Sequence, residues 1–295
     1  PNIETVTLKT SASGAKTISG ATFADATNVT ITATGANLVI NDFTATNITA
    51  LDASSSNKIV TITTGADVFS SAFTFSGSST NDRLDFDGAT LTAGTVFELG
   101  QGQDTLTLNA DAVATVVRTS ATGSGNALSI RDDATSANTA SFTSGSDTFD
   151  YNGSLSHDSV TSVVAASGAT LQAAVAADAD ATVYVIQDAD GDADLETAIN
   201  NFADNVGRGR ANTLETEAVD TGLLSYTGLD AAFDSSDIVL IAIDSETNAT
   251  AANNGGTAVY RFQNTNTDTV DTVLSSELEL IGVFQDAALG TVDFV

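Results

Sequence analysis

The feature that most constrains this chain is a series of short stretches in which two apolar residues stand one position apart, each bounded by Gly, Asn, Ser, Thr or Asp. Val6/Leu8, Val29/Ile31, Leu38/Ile40, Val60/Ile62, Leu84/Phe86, Leu106/Leu108, Leu128/Ile130 and Phe149/Tyr151 all fit it. Alternation at period two puts both apolar side chains on one face of a strand, and strands this short need neighbours to bury that face. Several pairs follow one local formula, Gly-x-Asp-x-apolar: "GADVF" at Gly65, "GQDTLTL" at Gly102 and "GSDTFDY" at Gly145, with "TNDRLDF" at Thr80 lacking the glycine. The aspartates Asp67, Asp82, Asp104 and Asp147 are spaced by 15, 22 and 43 residues, and "GNALSI" at Gly125 marks a midpoint in the last gap. Four steps over that interval average about 20 residues, the length of one rung in a stacked solenoid.

After residue 155 the texture changes. "GATLQAAVAADADA" from Gly168 is helix-forming, "TVYVIQ" at Thr182 is a strand, and "LETAINNFADNVG" places Leu195, Ile199, Phe202 and Val206 on one helical face with Gly207 as the stop. "DIVLIAID" at Asp237 and "TAVYRFQN" at Thr257 predict a hairpin, and "ELELIGVF" at Glu277 and the terminal "TVDFV" predict further strands. The predicted architecture is mainly β: a right-handed stacked β-solenoid (β-roll or β-helix type) over residues 1–155, then a small α+β module over residues 156–295, with the join between 152 and 168. Because "PNIETVTLKT" begins directly in a strand, the chain reads as the C-terminal part of something longer.

Charge narrows the function. With 38 acids against 9 bases the formal net charge is −29, which disfavours nucleic acid and anionic membranes and makes compaction depend on counterions. The absence of cysteine excludes disulfides, thiol catalysis and thiolate metal sites. Catalytic signatures are poor. His157 in "SLSHDS" has Ser and Asp beside it only in sequence, and no G-x-S-x-G elbow exists. Three lysines and six arginines offer little for an acidic sugar substrate, and "GRGR" at Gly207 is the one local basic cluster.

Cation chemistry fits better. "DADGDADLE" sets Asp188, Asp190, Asp192, Asp194 and Glu196 on alternate positions around Gly191, the oxygen-rich pattern of a short Ca²⁺ loop. Ile199 stands where an EF-hand carries its terminal Glu, so a shorter loop is expected, and "NTNTDTVD" at Asn264 is a degenerate relative. The Gly-Asp turns supply a second candidate set: Gly65, Asp67, Asp82, Gly100, Gly102, Asp104, Gly145 and Asp147. Stacked carboxylates on neighbouring rungs repel by roughly 3 kcal/mol per pair at an effective dielectric near 20, and Ca²⁺ between them reverses the sign.

"LGQGQDTLT" at Leu99 resembles the repeats-in-toxin nonapeptide G-G-x-G-x-D-x-U-x at all but the first glycine. Together with "PNIETVTLKT" and the ending "AVYRFQNTNTDTVDTVLSSELELIGVFQDAALGTVDFV", it gives the chain a resemblance to the C-terminal region of bacterial surface-layer and repeats-in-toxin proteins exported by type I secretion. That resemblance implies an uncleaved C-terminal signal ending in Asp293, Phe294 and Val295. It also implies an extracellular, non-enzymatic structural protein at the cell surface that folds in Ca²⁺ and assembles with its own copies into a lattice or filament. A cell-surface glycan or lipopolysaccharide would be reached through a preceding part. An adhesin or matrix-binding module is the competing expectation, and a Ca²⁺-dependent polysaccharide-acting enzyme the third.

Overall fold

The computed structural model describes residues 4–11, 13–86, 89–108, 115–119, 128–131, 142, 147–151, 155, 162–164, 170–177, 179, 181–187, 216–219, 221, 223–224, 233, 237–245, 256–265, 273–285, 287, 289–290 and 293–294. Two sheets face each other across one core, and through the solenoid the chain visits them alternately. The first sheet holds β1 (Thr5–Thr10), β3 (Asn28–Ala33), β5 (Ala50–Asp52), β7 (Thr74–Ser76), β9 (Thr95–Glu98), β11 (Thr115–Thr119) and β13 (Thr148–Tyr151), all parallel and in that order. The second begins with β2 (Lys16–Ser19), β4 (Leu38–Phe43), β6 (Val60–Thr64), β8 (Arg83–Asp85), β10 (Thr105–Thr107) and β12 (Leu128–Arg131). The stacked β-solenoid read from the sequence is therefore the fold.

In each sheet, register stacks one inward side chain from every rung into a continuous column, and several strands add a second. One column runs Val6, Val29, Leu51, Phe75, Phe97, Val117, Phe149. The facing column runs Ile18, Ile40, Ile62, Leu84, Leu106, Ile130, Phe284. From the second rung onward every member of both columns is buried. Each contributes about 1.5–3 kcal/mol of transfer free energy, so stability accumulates rung by rung. The rings of Phe69, Phe73, Phe86 and Phe97 fill one section of this core, with centroids 5.1 to 5.9 Å apart among the pairs that touch.

The rung length differs from the average taken over the aspartates. Partners in the second sheet lie 22 residues apart from Ile18 to Leu106. The value near 20 mixed turns that occupy different columns of the stack.

The C-terminal module extends the second sheet. β18 (Leu278–Gln285) pairs in parallel with β12, and the sheet continues through β17 (Gly256–Gln263), β16 (Ile238–Asp244), β15 (Val183–Gln187) and β14 (Ser162–Val164). The predicted hairpin is present as antiparallel β16 and β17. One face of this extension continues the solenoid core through Val183, Val185, Leu240, Ala242, Val259 and Ile281. The other packs Tyr184, Ile186, Ile241, Ile243, Tyr260 and Phe262 against a second cluster that includes Leu171, Ala174 and Val175 of α1 (Leu171–Ala177). Burial on both faces explains why these strands read as unbroken apolar runs. The end of the stack is closed by Phe284, whose ring meets Phe142 and Phe149 at 5.0 and 5.1 Å, and by Phe294, which bridges to Phe149. Of the expected terminal strand, that bridge is the described part. The predicted helix from Leu195 to Val206 lies outside the described residues.

Candidate functional site

The glycines and aspartates of the turns have a structural use. Before β8 the chain makes the turn "GSSTND" (77–82), and one rung on the turn "LGQGQD" (99–104) stacks upon it. Gly100 and Gly102 have φ of 76° and 122°, and a Cβ there would lie 2.5 Å from the Ser78 carbonyl oxygen and 2.6 Å from the Thr80 carbonyl carbon. Only glycine satisfies both the backbone conformation and that approach.

Asp82 reaches back to the preceding rung. Its Oδ1 accepts from the Val60 amide at 3.1 Å and the Ser78 hydroxyl at 2.8 Å, and its Oδ2 accepts from the Ser78 amide at 2.6 Å. Asp104 repeats the device, Oδ1 accepting from the Asp82 amide at 2.8 Å, while Asn81 Oδ1 accepts from the Gln103 amide at 3.1 Å. In the other sheet Asp147 Oδ1 accepts from the Thr115 amide at 2.9 Å and its hydroxyl at 2.7 Å. Each of these carboxylates is buried and satisfies an amide at or near a strand start in an adjacent rung. Burial pushes the Asp82 carboxyl up from its ordinary 3.8 to about 6, against the lowering effect of the Ser78 and Val60 hydrogen bonds.

The predicted turn residues therefore fall in separate columns. Asp82 and Asp104 precede strands of the second sheet, and Asp147 precedes a strand of the first. Asp67 follows β6, where its Oδ2 accepts from the Thr44 hydroxyl at 3.0 Å. Gly65 has ordinary φ and nothing nearer its Cβ position than Asp67 Oδ2 at 3.8 Å. Calcium at Asp82 or Asp104 would compete with amide donors for the same oxygens. Among the described residues, no three His, Asp or Glu side chains gather as a metal-binding set. Gly145 and the acidic loop Asp188, Asp190, Asp192, Asp194 and Glu196 lie outside the described residues, as do His157 and the "GRGR" cluster.

A second arrangement is made by residues that carry no local motif. On the outer face of the first sheet, register aligns Thr7, Thr30, Asp52, Ser76, Glu98, Arg118 and Asp150 in one row. Arg118 spans two steps of it, donating from Nη1 to Glu98 Oε1 at 2.7 Å and from Nε to Asp150 Oδ2 at 2.6 Å. These hydrogen bonds, Asp150 first, raise the guanidinium pKa further. Beside this row runs a groove of about 380 Å³ lined by Asp52, Ser54, Ser76, Gly77, Glu98, Gly100, Arg118 and Thr119. Ser54 donates its amide and hydroxyl to Asp52 Oδ1 at 2.9 and 2.6 Å. From Thr7 to Arg118 the row members stand 20 to 24 residues apart, so writing the sequence in lines of one rung length is the signal that would have brought those six together, whereas Asp150 lies 32 residues beyond Arg118.

No family model matches the chain, and neither a curated protein nor a solved structure matches it.

Proposed function

We propose that this chain is a calcium-stabilised structural module of an extracellular surface layer or filament, and that it assembles with copies of itself. The observation that carries this reading is the asymmetry of the stack. At one end Phe284 and Phe294 close the core. At the other, β1 and β2 are edge strands, as β13 and β14 are at the far ends of the two sheets, but no described ring covers the core beside them. There Val6, Leu8, Ile18 and Phe23 are only partly buried. A sheet edge next to incompletely covered apolar side chains is suited to adding further β-structure, whether from a copy of this chain or from a segment that precedes it. Subunits of net charge −29 repel at long range, so close association calls for cations, and the acidic loop from Asp188 to Glu196 is the sequence feature best suited to hold them.

Light scattering with electron microscopy across a calcium titration tests the reading. Ordered oligomers or sheets at millimolar calcium that disperse on chelation, with sodium chloride at equal ionic strength substituting only in part, are the expected result. A protein that stays monomeric throughout would overturn it.

A further inference from the structure

We infer that the groove on the outer face of the first sheet, at Asp52, Ser76, Glu98 and Arg118, binds an extended neutral glycan chain. It is a recognition function separate from assembly and does not depend on it.

The argument begins with spacing. The groove crosses β5, β7, β9 and β11, three steps of about 4.8 Å, or roughly 14 Å along the stacking axis. It presents a polar side chain on every rung, a repeat close to that of successive rings in an extended glycan. Its chemistry is that of a hydroxyl receptor. Asp52 Oδ1 is taken by Ser54 and Glu98 Oε1 by Arg118, and among the described residues nothing donates to the second oxygen of either carboxylate. Among the described residues the Ser76 hydroxyl between them has no hydrogen-bond partner. Arg118 is held from both sides, so its remaining N–H groups are donors fixed before any ligand arrives.

Part of the groove is lined by close-packed rung backbone. Gly77 and Gly100 lie in it, and a Cβ at either would collide with the backbone of Leu99 or Ser78 respectively. Glycine at these positions lets the adjacent rungs approach closely, so backbone alone lines the groove there.

Other ligand classes fit less well. The charge of Arg118 is already matched by Glu98 and Asp150, and Asp52 adds a further negative charge, so phosphate, sulfate and uronic acid groups are repelled. Among the described residues no aromatic or large aliphatic side chain lines the groove, which disfavours a peptide that needs an anchor pocket. A sugar binding here without an aromatic platform gains from hydrogen bonds alone, so affinity in the high-micromolar to millimolar range is expected.

The test titrates the full chain with cellotetraose, chitotetraose and maltotetraose separately, by calorimetry and by NMR of the side-chain carboxyls. At least one tetrasaccharide should bind and perturb Asp52 and Glu98. Ser76→Leu, which fills the groove from a solvent-facing position and leaves the Glu98–Arg118–Asp150 line intact, should weaken that binding roughly tenfold or more with Tm unchanged, and Asp52→Asn should weaken it too. The inference is overturned if none of the three binds up to about 10 mM. It is equally overturned if Ser76→Leu binds as well as the parent, or if calcium chloride alone perturbs Asp52 and Glu98 while no sugar does.

Discussion

The carboxylate of Asp82 accepts a hydrogen bond from the backbone amide of Val60, the residue one rung earlier that opens β6. It also accepts from the amide and hydroxyl of Ser78, so one side chain ties its own turn to the strand behind it. Replacing it by alanine leaves two buried amides without acceptors, at about 1–3 kcal/mol for each. Asp82→Ala should therefore lower the urea midpoint strongly, while an alanine at exposed Asp25 should leave it nearly unchanged.

The same carboxylate gives stability a pH dependence of definite sign. With its pKa raised from 3.8 to about 6, folded Asp82 keeps a proton between those values that the unfolded chain has released. Its contribution is therefore greatest below about pH 4, declines as pH rises to about 6 and is level above that. Unfolding free energies of the parent minus those of Asp82→Asn, measured from pH 4 to 7, should fall across this window. A flat difference would show that the raised pKa is not expressed.

Two glycines that look alike in sequence should behave differently. Gly102 has φ of 122° and no room for a Cβ, whereas Gly65 has neither constraint. Gly102→Ala must shift a neighbouring rung or its own backbone, and a loss above about 2 kcal/mol is expected. Gly65→Ala should fall within about 0.5 kcal/mol of the parent, or stabilise by restricting the unfolded chain. Thermal melts of the two variants side by side decide the point.

That contrast also marks how far the sequence could be read. The strands with two alternating apolar residues, such as β3, β4 and β6, were visible because both side chains enter the core. β2, β5, β7, β9 and β11 were not: "ALD" and "TFS" place a single large residue inward, and "TVVRT" has adjacent valines that face opposite ways. Recognising them requires the partner one rung away, which local periodicity does not contain. Missing one strand in every rung but that of β3 and β4 merged two sheets into one series and put Asp67, Asp82, Asp104 and Asp147 in a single imagined column. The helix α1 and strands β15 to β18 were legible because each is long or strongly apolar. The outer row from Asp52 to Asp150 was hidden for the reason that hid β5 and β7, since its members meet only through register.

Arg118 should contribute modestly and in a salt-dependent way. Its side chain is 34% exposed and that of Glu98 41%, so solvent screens the pair with Glu98 more than the one with Asp150, at 20%. Arg118→Met, which keeps much of the aliphatic stem, is expected to cost about 1 kcal/mol at low ionic strength and less in 1 M sodium chloride. Arg118→Lys should recover only part of the loss, because a single ammonium cannot reproduce the geometry that reaches both neighbours.

Phe284 makes the most demanding prediction. It is the last member of the second sheet's inward column, belongs to a strand of the C-terminal module, and packs its ring edge-on against Phe142 and Phe149. Solenoid and module thus share one sheet and one core, and the parent should lose both in a single cooperative transition. Phe284→Ala leaves the β12–β18 backbone pairing in place but opens a cavity where the two parts meet, at about 3–5 kcal/mol. A stacked array passes stability only between neighbours, so the loss should fall on this junction. The variant is expected to melt in two steps, with amide exchange accelerating first in β12, β13 and β18 while β3 to β6 stay protected. A single transition merely shifted to lower temperature would mean that the coupling runs through the sheet hydrogen bonds rather than through this ring.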